Sequence, residues 1–249
     1  MPRIDFNCDL GEGCGDDAAI MPWITSANIA CGAHAGDEAT IRETLRLCRA
    51  HGVVAGAHPG YADREHFGRR ELAMPYAELV ALVRDQIALM DMLAREQGVV
   101  LHHVKPHGAL YNLSARDLDT AMAVAEAVRT YDPTLLLVGL SGSMSIDAAQ
   151  SLGLRTAHEV FAERGYSADG RLLPRGTPGA VLGTDAAIAQ ALGFALRGEV
   201  AAASGRTLRL QADTLCLHGD RDDAADIGRN MHAALTAAGV RIQPLESST

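Results

Sequence analysis

Lysine is almost missing from this sequence. Of its 22 basic residues, 21 are arginine and one, Lys105, is lysine. Arginine cannot titrate near neutrality or set a compact charge on an oxygen in a tight pocket, whereas a buried lysine can do both. Chance in an arginine-biased composition is the competing reading. The position of Lys105, between a strand and a turn and beside His107, favours a functional one.

Aromatic residues are scarce too, at 4% of the chain, so a core has to come from Ala, Leu, Val and Ile. The five cysteines (Cys8, Cys14, Cys31, Cys48 and Cys216) are odd in number and include no CxxC pair. That fits reduced thiols rather than a disulfide framework or a Cys-based zinc site. No basic stripe and no interleaving of aromatic with basic residues is present. With a net charge of -9, this argues against a nucleic-acid or anionic-membrane partner. No window approaches a membrane span, and Met1-Pro2-Arg3-Ile4-Asp5 runs into a strand-like segment without an apolar signal region, so the expected location is the cytoplasm. The single lysine lies in no phosphate-binding loop sequence, Gly11-Glu12-Gly13-Cys14-Gly15 lacks the dinucleotide-binding spacing, and both GxSxG and HExxH are absent.

What is present is an alternation of short apolar runs with helical patterns, the signature of βα units and a parallel sheet. A length of 249 residues suits one barrel-sized domain over residues 1–249. Strands are expected at Ile4 to Asn7, Ile24 to Cys31, Val53 to Ala57, the run around Val99 to Lys105, Leu135 to Leu140, Arg155 to Val160, Thr214 to Leu217 and Val240 to Pro244. Helices are expected from Asp37 to His51, from Pro75 to Gly98, from Ser114 to Tyr131 with Ser114 as cap, from Asp185 to Arg197 and from Asp222 to Ala238. The stretch Phe161 to Gly183 carries Glu163, Arg164, Tyr166 and Arg175 and is expected to be a substrate lid. Ser247, Ser248 and Thr249 are expected to fray.

The polar residues gather where strands end. The first strand brings Asn7, Asp9 and Glu12, and the next ones bring His34, His58, then Lys105 and His107. Glu159 follows on the sixth strand, and Asp213, His218 and Asp220 flank the last apolar run before the final helix. In a β/α barrel the carboxyl ends of all strands converge on one rim. One histidine at a strand end is ordinary; four, each beside Gly or Pro or near one, point to a site. Asp5, Asn7 and Asp9 alternate and so share a strand face; a calcium loop is excluded because Leu10 occupies its sharp-turn glycine position. Asp9, His34 and His58 form a donor set suited to a zinc-like divalent ion. The purely organic reading uses Lys105 or His107 as acid or base, with carboxylates activating water. His102 and His103 point to opposite faces and are read as structural, and His51, His66 and His232 as surface residues.

Asp5-Phe6-Asn7-Cys8-Asp9-Leu10-Gly11-Glu12, Ser26-Ala27-Asn28-Ile29-Ala30-Cys31-Gly32-Ala33-His34, Ala57-His58-Pro59-Gly60-Tyr61, Val104-Lys105-Pro106-His107-Gly108 and Cys216-Leu217-His218-Gly219-Asp220 occur in this order. Together they resemble the LamB/YcsF family, as do Glu159 to Tyr166 and the Arg175-Gly176 region. The resemblance implies a distorted β/α, TIM-like barrel related to glycoside hydrolase and deacetylase barrels. It also implies ATP-dependent opening of the lactam 5-oxo-L-proline to L-glutamate, in a complex with 5-oxoprolinase subunits B and C and with ATP, carrying Mg, as co-substrate. A stable lactam is opened more readily once its carbonyl oxygen is phosphorylated, which calls for cations and a base. On that basis Lys105 is expected to face developing negative charge, His107 or His58 to move protons, and Asp9 or Glu159 to activate or orient water. Asn7, Glu12, His34, Arg164, His218 and Asp220 are expected to contact substrate. The alternatives are a stand-alone metal-dependent amidase or deacetylase and a non-catalytic subunit that only binds substrate, and the number of copies in an assembly stays open.

Overall fold

The structure, a computed structural model, describes residues 1–220 and 223–246. The chain runs β1 (Arg3–Leu10), α1 (Asp17–Ile20), β2 (Ser26–Ala30), α2 (Glu38–His51), β3 (Val54–His58), α3 (Tyr76–Glu96), β4 (Leu101–Val104), α4 (Gly108–Ser114), α5 (Leu118–Tyr131) and β5 (Leu136–Leu140). It continues through α6 (Met144–Ser151), β6 (Thr156–Phe161), α7 (Thr184–Arg197), β7 (Glu199–Ala201), β8 (Thr207–Arg209), β9 (Thr214–His218), α8 (Ala224–Ala237) and β10 (Arg241–Ile242). Seven parallel strands, in the order β1-β2-β3-β4-β5-β6-β9, close into a barrel because β1 pairs with β2 on one side and β9 on the other. The expected TIM-like barrel is therefore present, with seven strands in the ring. β10 adds to the start of β1, and β7 and β8 form a separate antiparallel hairpin.

Alternation along each strand divides apolar from polar. In β1, Ile4, Phe6, Cys8 and Leu10 belong to the main apolar core, while Asp5, Asn7 and Asp9 are buried on the other face, inside the barrel. The lumen is consequently polar over much of its height. The exception is a small apolar cluster of Leu136, Val138 and Ala157, against which Leu245 packs. The helices supply the outer layer: α3 buries Leu79, Val83, Ile87, Met90 and Leu93 at the 3–4 spacing of one helix face. α2 begins where the Asp37 carboxylate accepts the Thr40 N–H and ends at Gly52 in the left-handed region.

Two expectations need correction. The helix expected from Ser114 to Tyr131 is α5, which starts only at Leu118; Ser114 ends the preceding helix, α4, and does not cap α5. Its hydroxyl turns back to the Tyr111 carbonyl, and Asp117 caps α5 by accepting the Thr120 N–H at 2.9 Å. Asp213 precedes β9 and therefore lies at the amino-terminal mouth, where its carboxylate accepts the His158 N–H, not at the rim that holds the other residues. The expected helix start at Asp222 and the expected frayed end at Ser247 to Thr249 lie outside the described residues. No described helix is long and apolar enough to cross a membrane, and all five cysteines are unpaired.

Candidate active site

The lumen residues form a continuous hydrogen-bonded column. At its base the Asp5 carboxylate accepts from the hydroxyls of Thr25, Ser26 and Thr214. Burial nevertheless pushes the Asp5 carboxyl up to about 6. One level higher, Asn7 donates to Glu159 Oε1 at 3.0 Å and to Thr214 at 2.6 Å. Its own oxygen accepts from Asn28 Nδ2 at 2.8 Å, and the same Asn28 nitrogen lies 2.8 Å from Asp9 Oδ1. His103 Nε2 meets Asn28 Oδ1 at 2.7 Å. Burial keeps His103 well below the ordinary histidine range, so the neutral ring donates here. The lumen takes this imidazole because residue 56 is glycine: a Cβ there would stand 2.2 Å from His103 Nε2.

Lys105 closes the column. Its backbone N–H continues the β3–β4 ladder to the Ala57 carbonyl at 2.9 Å, and its side chain turns inward, 2% exposed. The ammonium lies 2.8 Å from Asp9 Oδ1, 2.8 Å from Glu159 Oε1 and 3.1 Å from Cys216 Sγ. Phe161 and Tyr111 offer ring faces with centroids 5.4 and 5.9 Å away. Burial alone would discharge the ammonium, but the charges of Asp9 and Glu159 reverse the effect and hold Lys105 well above the usual lysine range. Asp9 is likewise opposed by burial, yet His58 and Lys105 keep it well below the usual carboxylate range. Burial pushes the Cys216 thiol well up, so it is a neutral neighbour and a poor nucleophile.

Beside Lys105 four side chains from different elements converge. One ligand atom each of Glu12, His34, His58 and His107 lies within 4.8 Å of the others. His58 Nδ1 is 2.7 Å from the Lys105 carbonyl and His107 Nε2 is 2.9 Å from the Phe67 carbonyl. A carbonyl can only accept, so these nitrogens carry protons, and in each ring, when neutral, the opposite nitrogen presents a lone pair. Those lone pairs, His58 Nε2 and His107 Nδ1, face each other at 3.0 Å, and Glu12 Oε1 is 3.4 Å from the latter. His34 stacks on His107 with ring centroids 3.8 Å apart, its Nε2 standing 3.7 Å from Glu12. Glu12 Oε1 and both His34 nitrogens are buried with no hydrogen-bond partner. Burial pushes the Glu12 carboxyl up to about 8, with Asp9 adding to it, and lowers His34 to about 3. Buried lone pairs pointed at one another, with their outer nitrogens fixed by carbonyls, are the chemistry of a divalent cation site. The four donors fit such an ion. Of the expected ligands, His34 and His58 lie in this group, while Asp9 stands beside it, with Oδ2 3.4 Å from His58 Nε2 and Oδ1 occupied by Lys105 and Asn28. Gly68 allows the overlying loop to close: its φ is +63°, and a Cβ there would approach His34 to 2.8 Å.

The rim completes the site. Glu163 pairs with His218, which holds its carboxyl low against the effect of burial, and Asp220 pairs with Arg69 at 2.6 Å. Asp9, His58, Lys105, His107 and His218 line a cavity of about 40 Å³. Arg69, Arg164 and Arg175 line both this cavity and a neighbouring one of about 370 Å³. All the residues singled out from sequence at this end thus face the lumen, the histidine group or the rim. Sequence reasoning misses Asn28 and His103 as members of the column. The signal for them is the period-two spacing of Ser26 and Asn28, and of His103 and Lys105, in otherwise apolar strands.

The sequence profile of the LamB/YcsF family matches residues 4–249. The A component of 5-oxoprolinase from Bordetella pertussis (strain Tohama I) is 49% identical over 248 residues, covering 97% of this chain and 98% of that one. The crystal structure of the lactam utilization protein from Thermus thermophilus superposes with a TM-score of 0.92 at 42% identity, covering 98% of this chain and 100% of that chain. The structure of T48 deacetylase with substrate shares the fold alone, with a TM-score of 0.51 at 11% identity over 97% of this chain and 87% of its own. A match across nearly the whole sequence, at this identity to curated relatives, means that the chain belongs to the LamB/YcsF family.

Proposed function

We propose that this chain is the lactam-opening subunit of an ATP-dependent 5-oxoprolinase that works with subunits B and C and converts 5-oxo-L-proline to L-glutamate. The names of its relatives support the assignment to such an enzyme. The observation that carries a catalytic role is the ammonium of Lys105, caged by Asp9 and Glu159 and bordering the same small cavity as the inward nitrogens of two histidines.

A lactam carbonyl oxygen reaching that cavity meets a cation that is already desolvated and needs no reorganisation. Of the three nearest acceptors around Lys105 the neutral Cys216 sulfur is the weakest, and it is the one an oxyanion displaces. His58 or His107 accepts the proton of the water that attacks the ring carbon and returns it to the ring nitrogen as the C–N bond breaks. Asp9 and Glu159 hold Lys105 charged, and the Lys105 carbonyl orients His58. The Asn7–Asn28–His103 relay fixes both carboxylates. The same lone pairs of His58 and His107, with Glu12 and His34, would alternatively hold a divalent ion, whose chemistry when bound is to polarise a carbonyl and acidify water, and a histidine that holds the ion is not the base. ATP enters as co-substrate of the complex: its phosphoryl group activates the lactam oxygen with release of ADP, ring opening by water leaves that group on the new side-chain carboxyl as an acyl phosphate, and a second water releases inorganic phosphate and L-glutamate. With no nucleotide-binding motif in this chain, the partners contribute the main nucleotide contacts.

The histidine–glutamate group also favours a second reading, a self-sufficient metal-dependent amidase. Glutamate and ADP production from 5-oxoproline and ATP, measured for this chain, for the partner subunits and for the mixture, with bound metal assayed in parallel, separates the two. Turnover in the mixture alone is expected. ATP-independent hydrolysis by the isolated metal-loaded chain would establish the amidase instead.

A further inference from the structure

We propose that the 370 Å³ chamber above the site is a binding site for a tetrahedral phosphoryl dianion, with Arg164, Arg175 and Arg69 as its ligands. Five arginines line it (Arg69, Arg116, Arg164, Arg171 and Arg175) against one acidic residue, Glu71. This is a local reversal of sign in a chain of net charge -9.

Not all of that charge is spent within the protein. Glu71 pairs with Arg116, Asp220 with Arg69 and Asp169 with Arg171. Among the described residues no carboxylate pairs with Arg164 or Arg175. Arg164 is 6% exposed, and its guanidinium is aimed by two backbone carbonyls: Nε donates to Ala180 at 3.1 Å and one terminal nitrogen to Leu173 at 2.6 Å. Two of its five N–H groups fix the plane, and the others have no protein acceptor among the described residues. A buried guanidinium held in place with donors to spare is a preorganised oxyanion receptor. Arg175 comes from the exposed part of the same loop and stands on the same cavity. Because Arg69, Arg164 and Arg175 also border the cavity at Lys105, an anion bound here and a group beside the ammonium belong to one small molecule.

A carboxylate is satisfied by one bidentate arginine, whereas a phosphoryl group brings about two charges and three acceptor oxygens, which matches several guanidiniums at once. On the 5-oxoprolinase reading, on which the identity of the carrier rests, the ligand is the phosphoryl group on the activated lactam, and inorganic phosphate is what remains there once the acyl phosphate left by ring opening has been hydrolysed.

The test needs neither lactam nor partner. Inorganic phosphate is titrated calorimetrically into the full chain at low ionic strength, with sulfate and acetate as competitors, and repeated with Arg175→Gln, Arg69→Gln and the conservative Arg164→Lys. Saturable phosphate binding is expected, displaced by sulfate and not by acetate. Arg175→Gln should weaken it about tenfold, the scale of one charge-assisted contact, with an unchanged melting temperature. Absence of saturable binding, displacement by acetate as effective as by sulfate, or wild-type affinity in Arg175→Gln would each overturn the proposal. Phosphate binding by a chain whose reconstituted mixture makes no glutamate would leave the site standing and remove the oxoprolinase reading. Turnover by a mixture whose chain binds no phosphate would do the reverse.

Discussion

Lys105 shows how far one residue can be read. Its isolation in the composition singles it out, and its burial between Asp9 and Glu159 supplies the physical reason: an arginine cannot fit three short contacts from one compact nitrogen. Lys105→Met is expected to lower glutamate formation by the reconstituted complex at least about a hundredfold, the cost of losing one preorganised oxyanion partner. Circular dichroism at the assay temperature checks that the fold survives the loss. Coupled ATP hydrolysis and glutamate formation at wild-type rates in this variant would remove Lys105 from the mechanism. Glu12 is harder to read. Its sequence position suggests a substrate contact, yet the chain's turn after β1 brings it to the three histidines, and no spacing rule reports a contact made by a loop. Asp5 allows a stability test. Burial raises its carboxyl from 3.8 to about 6, so the folded state holds a proton that the unfolded chain has released. Stability from this group is full below about pH 4 and is lost as pH rises through 6, by about 3 kcal/mol. Urea unfolding across pH 4 to 7 should therefore show a shallower loss in Asp5→Asn than in the wild type.

Among the elements, most helices and strands are legible because their buried faces repeat with the right period. The break between α4 and α5 is not. Ser114 and Asp117 are both capping residues by type, and the choice is made by Ser114 bonding back to Tyr111 and by the Ala115 carbonyl accepting the Met144 N–H from α6. That second contact lies well away in sequence and has no local signature. Asp117→Ala is expected to cost about 1 kcal/mol of folding stability through the lost cap, measurable as a lower denaturation midpoint with an unchanged denaturant slope. Ser114→Ala removes only an internal back-bond and should cost less, which reverses the ranking that sequence alone suggests. Asp213 illustrates a different limit: its residue type suits either mouth of a barrel, and only its place before β9 decides for the far one.

At the scale of the molecule, the closed ring is legible as a class from the alternation of elements. Its strand count is not, since the last expected strand, Val240 to Pro244, is β10, which pairs with the start of β1 and stays outside the ring. The polar lumen means that cohesion comes mainly from the layer between strands and helices, while the interior of the ring is given over to hydrogen bonds and ion pairs. The ring shuts where β1 meets β9, Asp5 opposite Thr214 and Asp9 opposite His218. These partners are separated by most of the chain, and contacts of such long range form late because loop closure precedes any return from them. Lys105 finds Asp9, Glu159 and Cys216 together only once that seam is sealed. After dilution from denaturant, recovery of lactam turnover in the reconstituted mixture should therefore follow the slowest folding phase of this chain, while helical ellipticity returns earlier. A chain lacking either flank of the seam would hold helices and no site at all: the catalytic centre is also the latch of the fold.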